Sequence, residues 1–160
     1  MSYKDALTNI GNRFAMSACV DNIDKKQSIG VVYCDVTGLK YVNDTMGHEA
    51  GDRLILNACA CLTDVFGEDR VFRIGGDEFC VILEKTNAVE IHQILDSLER
   101  KINVYNEKNN IKISYAKGYE ISTREHYYLM EELTKRADSR MYENKRLMKG
   151  KRLDGRRLNV

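Results

Sequence analysis

The order of apolar patterns along the chain predicts an α/β (α+β) fold, with a mixed sheet and helices packed over it. Two observations carry that prediction. Runs rich in β-branched and aromatic residues stand at residues 28–36, 70–83 and 111–121. Between and around them, apolar residues recur at three- and four-residue steps, the helical period.

Taken in order, residues 12–26 suit a helix, with Phe14 and Ala18 on its apolar side and Met16 and Cys19 beside them. SIGVVYCDV then reads as a buried strand ending in Asp35. TGLKYVNDTMGHEAGD is polar and glycine-punctuated, so a loop with short helical pieces is expected there. From Glu49 to Phe66, the spacing of Ile55, Ala58, Cys59, Leu62 and Val65 predicts a helix. A hairpin over residues 70–83 follows. Val89, Ile91, Ile94, Leu95, Leu98 and Ile102 predict a helix over residues 87–106. IKISYAKGYEI alternates as a strand, and the stripe Leu129, Met130, Leu133, Ala137, Met141, Met148 marks a last helix.

The 160 residues suit a single domain with a substantial core, and no linker or internal repeat divides them. With 25 basic and 24 acidic residues, charge points to neither nucleic acid nor membrane as a partner. No apolar run approaches the ~20 residues of a membrane span, and the start MSYKDALTNIGNR has no apolar signal core. Cys19, Cys34, Cys59, Cys61 and Cys80 lie in apolar segments without a CxxC pair. They read as reduced core thiols of a cytoplasmic protein, not as a zinc site.

The most telling stretch is VFRIGGDEFCVIL, residues 71–83. A Gly-Gly pair between β-type runs signals a hairpin, because glycine takes positive φ without steric cost. A two-residue turn places Ile74 opposite Asp77 and Arg73 opposite Glu78. Asp77, Phe79, Val81 and Leu83 then share one face, and Glu78, Cys80 and Ile82 the other. Both faces are apolar beyond the acids, which predicts an interior strand. An acid ending such a face is costly to desolvate unless paired or metal-bound. The plain alternative is a solvated hairpin tip. If the first strand neighbours the hairpin, Asp35 and Asp77 meet at one rim of the sheet, where ligand sites of open α/β sheets form. Hard oxygen donors without a Cys or His set select Mg²⁺ or Mn²⁺, whose remaining ligands usually come from water and substrate phosphates. Lys40, and Lys145 with Lys149 one helical turn on, could supply the charge that a triphosphate needs. A basic helix end that merely complements the helix dipole is the plain alternative for the last two.

These residues sit in four ordered blocks that resemble the GGDEF domain of diguanylate cyclases over nearly the whole chain. GGDEF stands at residues 75–79 with Arg73 before it, DALTNIGNR at 5–13, KYVND and GHEAGD between Lys40 and Asp52, and ADSRMYENK at 137–145. The resemblance implies a mainly antiparallel sheet of about five strands flanked by helices, of the nucleotidyl-cyclase or palm type with a ferredoxin-like core. It implies condensation of two GTP into cyclic di-GMP across a transient two-fold homodimer. It further implies two Mg²⁺ (or Mn²⁺) ions per site, held by Asp35, the Val36 carbonyl, Asp77 and Glu78. Asp77 and Glu78 would serve catalysis with Lys40. Lys145 and Lys149 would hold phosphates, Asn43 and Asp52 would read guanine, His48 would lie near that pocket, and Arg73 counts among the substrate-binding residues. An Asp accepting from guanine N1 and N2 would be left unpaired by adenine.

The chain departs from the family pattern at Thr37, where many members carry a second acid, and at Lys149, often arginine. It departs also at FGED, residues 66–69, where product-inhibited members carry RxxD. That last departure implies no tight product site at Asp69. Two other readings stay open: a GTP-binding regulatory module without turnover, and a cyclase making a mixed guanine–adenine product. The resemblance further suggests one domain excised from a longer sensory protein, itself possible as the cytoplasmic part of a membrane-associated chain.

Overall fold

A computed structural model describes residues 2–153. Helix α1 spans Arg13–Asn22 and is capped by Asn12, whose side chain accepts from the Ala15 amide at 3.0 Å. Strand β1 (Ile29–Val36) leads into helices α2 (Leu39–Met46) and α3 (His48–Phe66). A 3-10 turn at Glu68–Arg70 feeds β2 (Val71–Arg73) and β3 (Glu78–Glu84). Helix α4 (Ala88–Lys108), β4 (Tyr115–Ser122) and α5 (Met130–Leu153) complete the chain.

The sheet order is β2-β3-β1-β4, with every named pair antiparallel. Alternation gives each strand two apolar faces. Val32, Cys34, Val36, Phe79, Val81 and Leu83 pack with α3 and α4 through Ile55, Leu62, Ile91 and Leu98. Ile29, Val31, Cys80 and Ile82 pack on the other face against Met16 and Cys19 of α1 and Leu133 and Ala137 of α5. The interior position expected of β3 follows from this double burial. All five cysteines are free thiols, and burial pushes the Cys34 thiol up to about 12.

The sheet has four strands among the described residues, against about five expected. On the outer side of β2 a further strand is reduced to one bridge, Gly11 to Phe72. The Arg73 amide donates to the Gly11 carbonyl at 2.9 Å there. That bridge is the parallel pairing that makes the assembly mixed. Gly11 is needed for it, since a Cβ there would stand 2.7 Å from the Phe72 ring. Strand β4 starts at Tyr115 and not at Ile111, because the Asn106 side chain takes both backbone groups of Ile113 (2.8 and 2.9 Å). The segment expected as a loop after Asp35 is mostly helical. Helices α2 and α3 meet at Gly47, whose φ of 91° reverses the chain while its amide still caps α2 through the Asn43 carbonyl.

Three apolar residues assigned to helix stripes face solvent instead: Phe14, Val89 and Leu129 are 54%, 67% and 67% exposed. Each stands within two residues of a helix start.

Candidate active site

The hairpin differs from the expected two-residue turn by one residue. Arg73 pairs with Phe79, not Glu78, and the Ile74 amide donates to the Glu78 carbonyl at 2.9 Å. Neither Gly75 nor Gly76 takes a positive φ, so the premise of a tight primed turn is not met. Glycine is required at 75 for another reason: a Cβ would lie 2.9 Å from a Glu78 carboxylate oxygen. The wider turn lets Asp77 stay beside β1, where its carbonyl accepts from the Val36 amide at 2.8 Å.

Asp35 pairs in register with Glu78, so their side chains share the face covered by α1 and α5. With Asp77 they form a cluster in which carboxylate oxygens lie within 4.8 Å of one another. Asp35 is 3% exposed. Its Oδ2 accepts from Lys145 Nζ of α5 at 2.5 Å, whereas Oδ1 is buried with no hydrogen-bond partner. Burial, then the charge of Asp35 and the hydrogen bond that a protonated Asp77 would donate to it, push the Asp77 carboxyl up to about 6. Burial pulls the Lys145 amine down, but the Asp35 hydrogen bond and the three carboxylate charges more than offset it, so its pKa is raised.

A cleft of about 590 Å³ opens from this cluster along α5. Its lining includes Asp35 and Glu78 from the sheet and Asp138, Lys145, Arg146 and Lys149 from α5. Three hard carboxylates, one with a buried partnerless oxygen, fit a Mg²⁺- or Mn²⁺-sized ion. The fold brings Asp35, Asp77 and Glu78 together, and Lys145 and Lys149 line the same cleft as Asp35 and Glu78.

Other expected residues stand elsewhere. Lys40 is 89% exposed at its side chain and pairs with Asp44 at 3.2 Å across one turn of α2. Asn43 lies at the α2–α3 corner beside Gly51, the chain neighbour of Asp52, and neither Asn43 nor Asp52 lines the cleft. The Asn43 side chain lies over Gly51, where a Cβ would meet its Oδ1 at 1.8 Å. Asp52 and His48 are exposed on the first turn and a half of α3.

Arg73 does not reach the cleft. Its guanidinium holds the Gly76 carbonyl at 2.7 Å and the Asp5 carboxylate at 3.1 Å, while Arg13 donates to the Ile74 carbonyl at 3.1 Å. Asp5 is oriented in turn by the Thr8 amide and hydroxyl at 2.8 and 2.7 Å. Two arginines therefore brace the signature turn from outside. Arg73→Lys keeps the charge but loses the fork. It is expected to cost about 1–2 kcal/mol in urea unfolding, and an unchanged midpoint would remove the brace from the account.

Sequence reasoning missed Arg13, Asp5 and Arg146. For Arg146 a signal existed, since it neighbours Lys145 on the helix bearing the cationic pair. Asp5 and Arg13 bound the DALTNIGNR block, but no spacing rule pairs Asp5 with Arg73, 68 residues on.

The family described as "Diguanylate cyclase, GGDEF domain" matches residues 2–151. The chain is 31% identical over 154 residues to diguanylate cyclase DgcN of Escherichia coli (strain K12), covering 88% of this chain and 36% of that protein. It is 30% identical over 139 residues to cyclic di-GMP phosphodiesterase PdeB of Shewanella oneidensis, covering 84% and 16% respectively. The chain thus spans well under half the length of these curated relatives. Among solved structures, the GGDEF domain of TpbB (YfiN) from Pseudomonas aeruginosa superposes with TM-score 0.75 at 27% identity, covering 90% of this chain and 89% of that one. The coiled coil and GGDEF domain of DgcB from Caulobacter crescentus, in complex with c-di-GMP, gives TM-score 0.76 at 23% identity, covering 90% and 81%. With the match running through all four sequence blocks and both walls of the cleft, the chain belongs to the diguanylate cyclase GGDEF-domain family.

Proposed function

We propose that this domain condenses two molecules of GTP into cyclic di-GMP with release of two pyrophosphates. The observation that carries the reading is the buried, partnerless Oδ1 of Asp35 in a three-carboxylate cluster beside a cleft that Lys145, Arg146 and Lys149 line from α5. Asp35, Asp77, Glu78 and the Val36 carbonyl would hold up to two Mg²⁺ or Mn²⁺ ions. Such ions, when bound, neutralise phosphate charge and acidify a coordinated hydroxyl. In each half-reaction a 3′-hydroxyl oxygen bonds to the α-phosphorus of the other GTP as the bond to pyrophosphate breaks, and Asp77 accepts the hydroxyl proton. Lys145 and Lys149 hold the β- and γ-phosphates from α5. Asn43 and Asp52, from the α2–α3 corner, read guanine, with His48 beside them. Lys40 reaches substrate only by leaving Asp44, an exposed pair of little energetic weight.

One domain presents one nucleotide, so two copies must face each other for each hydroxyl to reach its target. The same proposal places the domain in the cytoplasm, within a longer regulated chain. No described helix is long and apolar enough to cross a membrane. Incubating the protein at several concentrations with GTP and Mg²⁺, then separating products by chromatography, tests the reading. Cyclic di-GMP should form at a rate that rises more steeply than linearly with protein. Nucleotide binding without product would instead select a regulatory module, a reading that the likeness to part of the phosphodiesterase PdeB favours. ATP incorporated alongside GTP would select the mixed product.

A further inference from the structure

We propose that Lys145 is an exchangeable counter-ion. It neutralises Asp35 while the acidic cluster holds no metal, and it is driven into the phosphate cleft when a divalent cation takes the cluster. Metal and triphosphate then bind with positive coupling through this one side chain. The inference rests on the reading of the cleft given above and adds an order of events to it.

A carboxylate as buried as Asp35 cannot stand alone without a large desolvation cost. Lys145 meets that need through Oδ2 at 2.5 Å, reaching across from α5, 110 residues on in the chain. Oδ1 is buried and makes no hydrogen bond, so Asp35 keeps an oxygen to offer to the cluster that it forms with Asp77 and Glu78. The pair is unequal: the Asp35 side chain is 5% exposed and that of Lys145 is 30% exposed, so the amine can swing outward while the carboxylate cannot move. An ion bound by Asp35, Asp77 and Glu78 supplies twice the charge of an ammonium at the same carboxylate, and it repels the ammonium beside it. The space open to the displaced amine is the cleft wall, where Lys149 stands one turn further along α5 and Arg146 is tied only to the exposed Glu143. An ammonium released there completes a phosphate-binding row. By reciprocity, a ligand that holds Lys145 in the cleft clears Asp35 for metal.

The test is Mn²⁺ binding without nucleotide, followed by electron paramagnetic resonance at pH 8 on the wild type, Lys145→Met and Asp35→Asn. Lys145→Met removes the competing cation and should bind Mn²⁺ about 10-fold more tightly than the wild type. Its thermal midpoint should be below wild type without metal and should rise more on adding Mn²⁺. Equal or weaker Mn²⁺ binding by Lys145→Met, with binding lost in Asp35→Asn, overturns the exchange and leaves the metal site standing. Mn²⁺ binding unaltered in Asp35→Asn overturns the metal reading itself. Should Lys145→Met fail to fold, competitive acylation of the wild-type Lys145 amine decides the point. Labelling should become several-fold faster with Mg²⁺ alone, and an unchanged rate refutes the exchange.

Discussion

Asp77→Asn is expected to lower cyclic di-GMP formation by about a thousandfold or more while raising the stability of the metal-free domain. The loss of rate follows from removing one of three converging carboxylates and, with it, the proposed proton acceptor. The gain in stability follows from the pKa of Asp77, pushed from 3.8 up to about 6 by burial and by Asp35. A carboxyl raised in the folded state favours folding fully below its unfolded value near 3.8, and this contribution disappears as pH rises through about 6. Metal-free wild type should therefore lose stability between pH 4 and 7 relative to Asp77→Asn. The group is half-exposed, so the difference is on the order of 1 kcal/mol once solvent screening is allowed for. Urea unfolding of both proteins in chelator across that range checks the sign. Turnover at the wild-type rate, or parallel pH profiles, would refute the role given to Asp77.

Gly118→Ala should be the most damaging conservative change in the molecule. Gly118 faces α5 from the middle of β4, and a Cβ there would lie 2.1 Å from the Met141 amide nitrogen and 2.7 Å from the Ala137 carbonyl oxygen. The obstacle is backbone, which no rotamer change can clear, so α5 must lift from the sheet. A cost of about 3 kcal/mol or more is expected. Because α5 carries Lys145 to Asp35, the same shift should weaken nucleotide binding. Thermal unfolding and GTP binding of Gly118→Ala measure both effects, and wild-type values for both would show that the helix is not seated as described.

Periodicity and residue chemistry were enough to locate four of the five α-helices and the four strands to within a few residues, and to set Asp35 near the acids of the hairpin, whereas α2 was expected as loop with short helical pieces. Both rest on local physics: alternation selects faces, and buried acids need partners. The direction of individual side chains was less legible. Lys40 follows Asp35 closely in sequence, yet the hydrogen bonding of α2 turns it toward Asp44. Arg73 adjoins the signature glycines, yet Asp5 from the far N-terminal side claims its guanidinium.

Local spacing and residue type were enough for the two-faced sheet, for the family and for acids of metal-binding character at the strand ends. The cation that neutralises Asp35, the partnerless second oxygen, and a glycine turn one residue wider and braced by two arginines emerge only when the segments pack. The Asp35–Lys145 pair spans 110 residues and the Arg13 brace 61, and such long-range packing, unlike alternation, leaves no periodic trace in the chain.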